Sequence, residues 1–218
     1  MTNGFILNGQ TMMAELRLLN KHCVNGFMIA IEPIAKLLIN FKVHPHVITF
    51  AGLFLSVLAF NFFRLGVFLY AGLMVILAGM CDVLDGRLAR ETKQITKFGA
   101  LIDSTIDRYS EVLMFLGLAI FFHDKQTYIV YLIILALTGS FMVSYTRARA
   151  EGLGIECKVG LMQRPERMTY LAIGSILGSI PKTKNIILIL TIWFIAIFAN
   201  ITVVQRIIFI RNKLKNLS

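Results

Sequence analysis

The stretch CDVLDGRLARETKQITKFGALIDSTIDR, residues 81–108, holds four of the chain's five aspartates: Asp82, Asp85, Asp103 and Asp107. Apolar runs long enough to cross a bilayer flank it on both sides. Carboxylates at the edge of hydrocarbon are costly, and four of them crowded together repel one another. Something cationic must hold them. The function is to be sought at that cation and at whatever phosphate it carries.

Helical spacing organises the cluster. Asp82, Asp85 and Ala89 fall at i, i+3 and i+7, on one face of a helix. Gly99, Asp103 and Asp107 fall at i, i+4 and i+8, on one face of the next. A short turn joins the two, which predicts antiparallel neighbours with four carboxylates converging. Oxygen-only ligands at that density suit Mg²⁺ or Mn²⁺ rather than zinc. Four carboxylates can hold two such ions, and paired ions clamp a phosphoryl group in displacement chemistry. Gly86 and Gly99 leave room for a ligand to approach. Arg90 can meet a phosphate, and Thr96 can donate a hydrogen bond to one.

The remaining sequence predicts an all-α integral membrane protein. Of 218 residues, 57% are hydrophobic and 16% are charged, against about half and a quarter in a soluble domain. A membrane helix takes roughly 20 apolar residues. Six spans are predicted, at 46–63, 66–88, 98–122, 126–147, 168–181 and 185–210. Before them, 12–43 mixes Met12, Met13, Leu16, Leu18 and Leu19 with Arg17, Lys21, Lys36 and Lys42. That pattern suits an amphipathic helix lying at an anionic surface. Glu32, Pro33 and Lys36 argue against a seventh span there. The expected organisation is an N-terminal interfacial segment, 1–44, a membrane domain, 45–211, and a basic tail, 212–218. Cys23, Cys81 and Cys157 lack the spacing of a disulfide framework or zinc site and read as small buried hydrophobes.

The net charge is +10. With both termini inside, 18 of the 22 Lys and Arg residues lie on the inner side. Only Arg64, Lys125, Lys182 and Lys184 fall outside. This positive-inside bias orients the chain in the cell membrane with termini and aspartates cytoplasmic. It accounts for the charge without nucleic acid.

Asp82-x-x-Asp85-Gly86-x-x-Ala89-Arg90, eight residues, then Gly99-x-x-x-Asp103-x-x-x-Asp107 resembles the signature of the CDP-alcohol phosphatidyltransferases at every fixed position and in both gaps. The resemblance spans roughly 30–211. It implies that a CDP-linked lipid, usually CDP-diacylglycerol, loses CMP as an alcohol attacks its β-phosphorus. It implies that Asp82, Asp85, Asp103 and Asp107 bind two divalent ions, Mg²⁺ or Mn²⁺, and that Asp107 is also the general base. Gly86, Ala89, Arg90, Thr96 and Gly99 would form the CDP-lipid site, with Pro45, His46 and Thr49 closing over the nucleotide. A homodimer is expected from the family.

A second basic cluster should choose the acceptor: Arg147, Arg149, Lys158, Arg164 and Arg167, with Arg206 separate and deeper among apolar residues. Arginine forks match phosphate, so a phosphorylated alcohol fits. SYTRARAEGLG (144–154) with GLMQRPER (160–167) looks like the branch that makes phosphatidylinositol phosphate or its archaeal ether-lipid counterpart. That likeness assigns Ser144, Arg147, Arg167 and Arg206 to the phosphate of inositol 1-phosphate. Glycerol 3-phosphate is the rival acceptor. Two other classes use inner acidic clusters. A membrane prenyltransferase generally has more spans and a different aspartate spacing. A divalent-cation transporter would need acidic residues along a through-path, where only Glu111 and Asp124 lie further on.

Overall fold

The computed structural model describes residues 21–183 and 185–215. Met12, Met13, Leu16, Arg17, Leu18 and Leu19 of the expected interfacial segment lie outside them, as do Lys184 and the tail beyond residue 215.

The described residues are helical. The helices are α1 (Lys21–Asn40), α2 (Pro45–Leu65), α3 (Phe68–Glu91), α4 (Lys97–His123), α5 (Thr127–Glu151), α6 (Arg164–Gly178) and α7 (Ile186–Lys215), with a 3₁₀ turn at Pro181–Thr183. The ends follow local chemistry. Pro45 stands in the first turn of α2, where its missing N–H costs nothing. Gly66, at φ 75°, closes the same helix in the left-handed conformation. Thr96 caps α4, its hydroxyl accepting from the Gly99 N–H at 2.9 Å.

Helices α2 to α7 coincide with the six expected apolar segments. Four of them, α2, α3, α5 and α7, are long and apolar enough to cross a membrane. Helix α4 carries Asp103, Asp107, Arg108 and Glu111 in its first half. Helix α6 has 15 residues and starts at Arg164, inside the expected loop.

The six helices close into a ring. Going round it, α2 packs on α3, α3 on α6, α6 on α7, α7 on α5, α5 on α4, and α4 on α2. The core between them is apolar and rich in small residues, with Ala59, Ala71, Ala136 and Ala196 all fully buried. Close approach depends on two glycines. A Cβ on Gly117 of α4 would lie 2.6 Å from the Phe60 carbonyl oxygen of α2. One on Gly72 of α3 would lie 2.8 Å from the Ala172 carbonyl oxygen of α6. Small residues of this kind let membrane helices pack backbone to backbone. Gly117→Val is therefore expected to cost about 1–3 kcal/mol by overpacking, read as a lowered thermal midpoint of the purified protein.

The ring corrects one expectation. Helices α3 and α4, which carry the aspartates, are not packed directly on each other; α2 lies against both. Two facing rows of carboxylates repel one another at close range. The interposed helix leaves space between them that direct packing would fill.

Helix α1 lies against α3. Ile31 and Ala35 bury onto Leu84, and Glu32 takes a 3.1 Å ion pair from Arg87. Arg87 also pairs with Glu91 at 2.6 Å, so it serves the α1–α3 contact and not the aspartates. Cys157 is buried in the α5–α6 loop, and burial pushes its thiol up from the ordinary value, as for an inert apolar side chain.

Candidate active site

Asp82 and Asp85 occupy the last turns of α3, and Asp103 and Asp107 the first turns of α4. Asp82, Asp85 and Asp103 each offer a carboxylate oxygen within 4.8 Å of the others. Asp85 is buried, and its Oδ2 accepts from the Thr49 hydroxyl of α2 at 2.7 Å. Thr49, expected to close over the nucleotide, orients a carboxylate. The intervening helix thus supplies the contact that sets the aspartate's direction.

Asp107 stands beside this trio, tied to it by an arginine. Arg164, the first residue of α6, reaches Asp82 Oδ2 with Nη1 and Asp107 Oδ1 with Nη2, both at 2.7 Å. Arg108 Nη1 approaches Asp107 Oδ2 at 3.8 Å. Arg164, expected in the basic cluster that chooses the acceptor, bridges two aspartates, and Arg108 had no site role from the sequence. Pro165 is the signal that marks Arg164: it starts α6, so the residue before it sits at the helix mouth.

The donor set fits a hard divalent cation. All its groups are carboxylate oxygens, and Asp103 Oδ1 is buried with no hydrogen-bond partner among the described residues. A buried carboxylate oxygen left unpaired is costly, and a cation would satisfy it.

The expected nucleotide residues gather nearby. A Cβ on Gly86 would lie 3.5 Å from Arg90 Nη1, so both face one space. A Cβ on Gly99 would lie 2.9 Å from the Thr96 hydroxyl and 3.4 Å from the His46 ring. Ala89 is half-buried and Arg90 exposed. Pro45 is buried at the start of α2, and its carbonyl accepts from Thr49 at 3.3 Å. The Thr96 oxygen is engaged as the α4 cap, and its hydroxyl proton remains available to a phosphate.

A cavity of about 900 Å³ opens between α4 and α5. It is lined by Asp103, Asp107 and Arg108 from α4 and by Ser144 and Arg147 from α5. Ser144 donates to the Ser140 carbonyl at 3.3 Å, and Arg147 pairs with Glu151 at 2.9 Å. Two of the four residues expected to hold the acceptor phosphate are thus brought to the aspartates.

The other two are not. Arg167 is fully buried, with Nε and Nη2 on the two oxygens of Glu111 at 2.7 and 2.9 Å and Nη1 on the Met162 carbonyl at 3.2 Å. Every nitrogen of its fork is taken, so Arg167 leaves the acceptor set. Arg206 is also buried. Its Nε donates to the Val159 carbonyl at 2.9 Å, and its Nη1 donates to that of Val143. It pins the loop between α5 and α6 onto α5 and α7. Both arginines hold the frame on which the site is built. Glu111→Ala strands the Arg167 charge in the interior and is expected to cost about 3–5 kcal/mol, measured as lost thermal stability. From the sequence Glu111 was weighed only as an acidic residue on a transport path, although it continues the 103/107 stripe by one more turn.

The CDP-alcohol phosphatidyltransferase family model matches residues 42–211. The chain belongs to that family, and it is a transferase. Among its relatives, the phosphatidylinositol phosphate synthase of Mycolicibacterium smegmatis is 33% identical over 186 residues, covering 83% of each chain. The archaetidylinositol phosphate synthase of Pyrococcus horikoshii is 32% identical, covering 85% of this chain and 93% of its own. The Mycobacterium tuberculosis phosphatidylinositol phosphate synthase is similar in structure. Its crystal structure with CDP-DAG bound superposes with a TM-score of 0.73 at 32% identity, covering 82% of this chain and 92% of that one. A second, in complex with manganese and citrate, gives 0.74 at 31% identity, covering 82% and 87%.

Proposed function

We propose that this protein transfers the phosphatidyl group of CDP-diacylglycerol to inositol 1-phosphate and releases CMP. The observation that carries the reading is the cavity in which Asp103 and Asp107 meet Ser144 and Arg147. It joins a cation-binding carboxylate cluster to groups that recognise a phosphate. The names of the relatives favour inositol phosphate over glycerol 3-phosphate.

Asp82, Asp85, Asp103 and Asp107 would hold two Mg²⁺ or Mn²⁺ ions, which neutralise charge on the diphosphate when bound. The manganese in the M. tuberculosis structure supports a divalent ion of this kind. Gly86, Ala89, Arg90, Thr96, Gly99, Pro45 and His46 bind the CDP part, and Thr49 acts through Asp85. The acceptor hydroxyl oxygen forms a bond to the β-phosphorus. The bond from that phosphorus to the bridging oxygen breaks, and CMP leaves with that oxygen. Asp107 takes the hydroxyl proton as the new bond forms. Ser144, Arg147 and Arg108 grip the acceptor phosphate, while Arg164 balances the carboxylates. Arg167 and Arg206 position these groups from behind.

The reading carries a topology. Helices α2 to α7 are six spans, with the termini and the site cytoplasmic. Residues 1–44 lie at the interface, 45–211 form the membrane domain, 212–218 are the basic tail, and the chain pairs as a homodimer. The positive-inside bias supports the orientation. Packing of α6 between α3 and α7 supports so short a span. Leu37 and Phe41, exposed at 55% and 73% beside Lys36 and Lys42, support an interfacial α1.

The test is CMP release by purified protein given CDP-diacylglycerol. Release is expected only with a phosphorylated acceptor and a divalent ion; release without any acceptor would overturn the transfer reading. Arg147→Gln is expected to raise the KM for inositol 1-phosphate by about 10–100-fold, the worth of a charge-assisted hydrogen bond. The KM for CDP-diacylglycerol should stay unchanged. Equal changes in both would remove Arg147 from the acceptor pocket.

A further inference from the structure

A second concavity lies apart from the aspartates, where the C-terminal ends of α5 and α7 converge. It is a groove of about 690 Å³. Leu153, Ile207 and Leu214 make much of its wall, and Arg149, Arg211 and Lys215 stand along it. Among the described residues, no aspartate or glutamate lines it. The three apolar side chains are 40–52% exposed, a poor arrangement in water and a good one against acyl chains. Both helices end on the side where α3 ends and α4 begins, so the groove opens at the same membrane face as the site.

The charges select the occupant. Arg147 is paired with Glu151 at 2.9 Å. Arg149, two residues on, has no carboxylate within ion-pair reach among the described residues, and neither does Arg211. Two exposed guanidiniums from different helices therefore edge an apolar groove with their positive charge uncompensated. Arginine forks match phosphate oxygens, and basic residues at this depth attract anionic headgroups.

We infer that this groove binds an anionic phospholipid as a separate ligand, with its phosphate on Arg149 and Arg211 and an acyl chain along Leu153, Ile207 and Leu214. The site takes neither the CDP-lipid nor the acceptor. Its occupant ties α5, which carries Ser144 and Arg147, to α7, which carries Arg206. Lipid composition would thus bear on the stability of the wall behind the acceptor pocket.

The experiment is thermal unfolding of the full chain in detergent with added phosphatidylglycerol, phosphatidylcholine or inorganic phosphate. Phosphatidylglycerol is expected to raise the midpoint by a few degrees, and the other two much less. Arg149→Gln with Arg211→Gln should abolish most of that rise, and Arg211→Gln alone should lower it while leaving CMP release in detergent unchanged. Leu153→Glu, which sets a carboxylate among the cations, should abolish it too. Arg149→Lys with Arg211→Lys should keep part of it. An equal rise with phosphatidylcholine would overturn headgroup recognition. A rise retained in the glutamine variant would overturn the site, and one removed by saturating CDP-diacylglycerol would assign the lipid to the substrate pocket.

Discussion

Asp107→Asn is expected to lower turnover by about 10²–10⁴-fold, the range for loss of a general base. Asparagine keeps the shape of the side chain and removes the proton acceptor. Asp107 is the aspartate best placed for that role. It lines the acceptor cavity, its two oxygens face Arg164 and Arg108, and its side chain is only 15% exposed. The other three aspartates cluster tightly enough to share a cation. Binding of CDP-diacylglycerol should survive, because the nucleotide residues lie on α3 and at the starts of α2 and α4, two turns or more from Asp107. Asp124→Asn is the control, since that side chain is 92% exposed at the far end of α4. Near-normal turnover in Asp107→Asn would remove the base from this residue. Lost CDP-lipid binding would make it a ligand residue instead.

Removing divalent ions should have an effect of similar size. Chelation is expected to bring CMP release to background, and Mg²⁺ or Mn²⁺ to restore it. The reason is electrostatic: a diphosphate brought to four carboxylates meets like charge that Arg164 and Arg108 offset only in part, so further cations must intervene. Mn²⁺ binding measured by electron paramagnetic resonance gives a readout apart from turnover. Asp85→Asn should weaken it strongly, since Asp85 is the buried member of the trio, aimed by Thr49. Thr49→Val should weaken it less, because the carboxylate stays and only its orientation loosens. Full activity after chelation, or unchanged Mn²⁺ binding in Asp85→Asn, would contradict a metal centre on these residues.

The most legible features were those governed by local period. Apolar runs marked all six helices of the ring, and the i, i+3 and i, i+4 spacings put the aspartates on inward faces. What failed was neighbourhood. A short connection suggested that α3 and α4 are direct neighbours, but α2 packs on both, and the two helices meet chiefly through the carboxylates of Asp82, Asp85 and Asp103. The bond from Thr49 to Asp85 was not legible, because the resemblance spoke only of a nucleotide contact for that residue.

The arginines show a second limit. Sequence gathered Arg164 and Arg167 in one basic set, yet three residues of helix separate opposite fates. Arg164, at the helix mouth, meets Asp82 and Asp107, whereas Arg167, one turn inward, meets Glu111. Burial decides between them, since an arginine with no exposure must find a carboxylate or carbonyls. The stripe of Asp103, Asp107 and Glu111 on α4 held that information. Its third member lies deeper, where a buried ion pair is the expected use of a carboxylate.

The most direct measurement gives purified protein CDP-diacylglycerol, Mg²⁺ and equal amounts of inositol 1-phosphate and glycerol 3-phosphate, and identifies the lipid product by mass spectrometry. The expected product is phosphatidylinositol phosphate in large excess, formed in step with CMP. Predominant phosphatidylglycerophosphate, or no lipid product with either acceptor, would contradict the assignment.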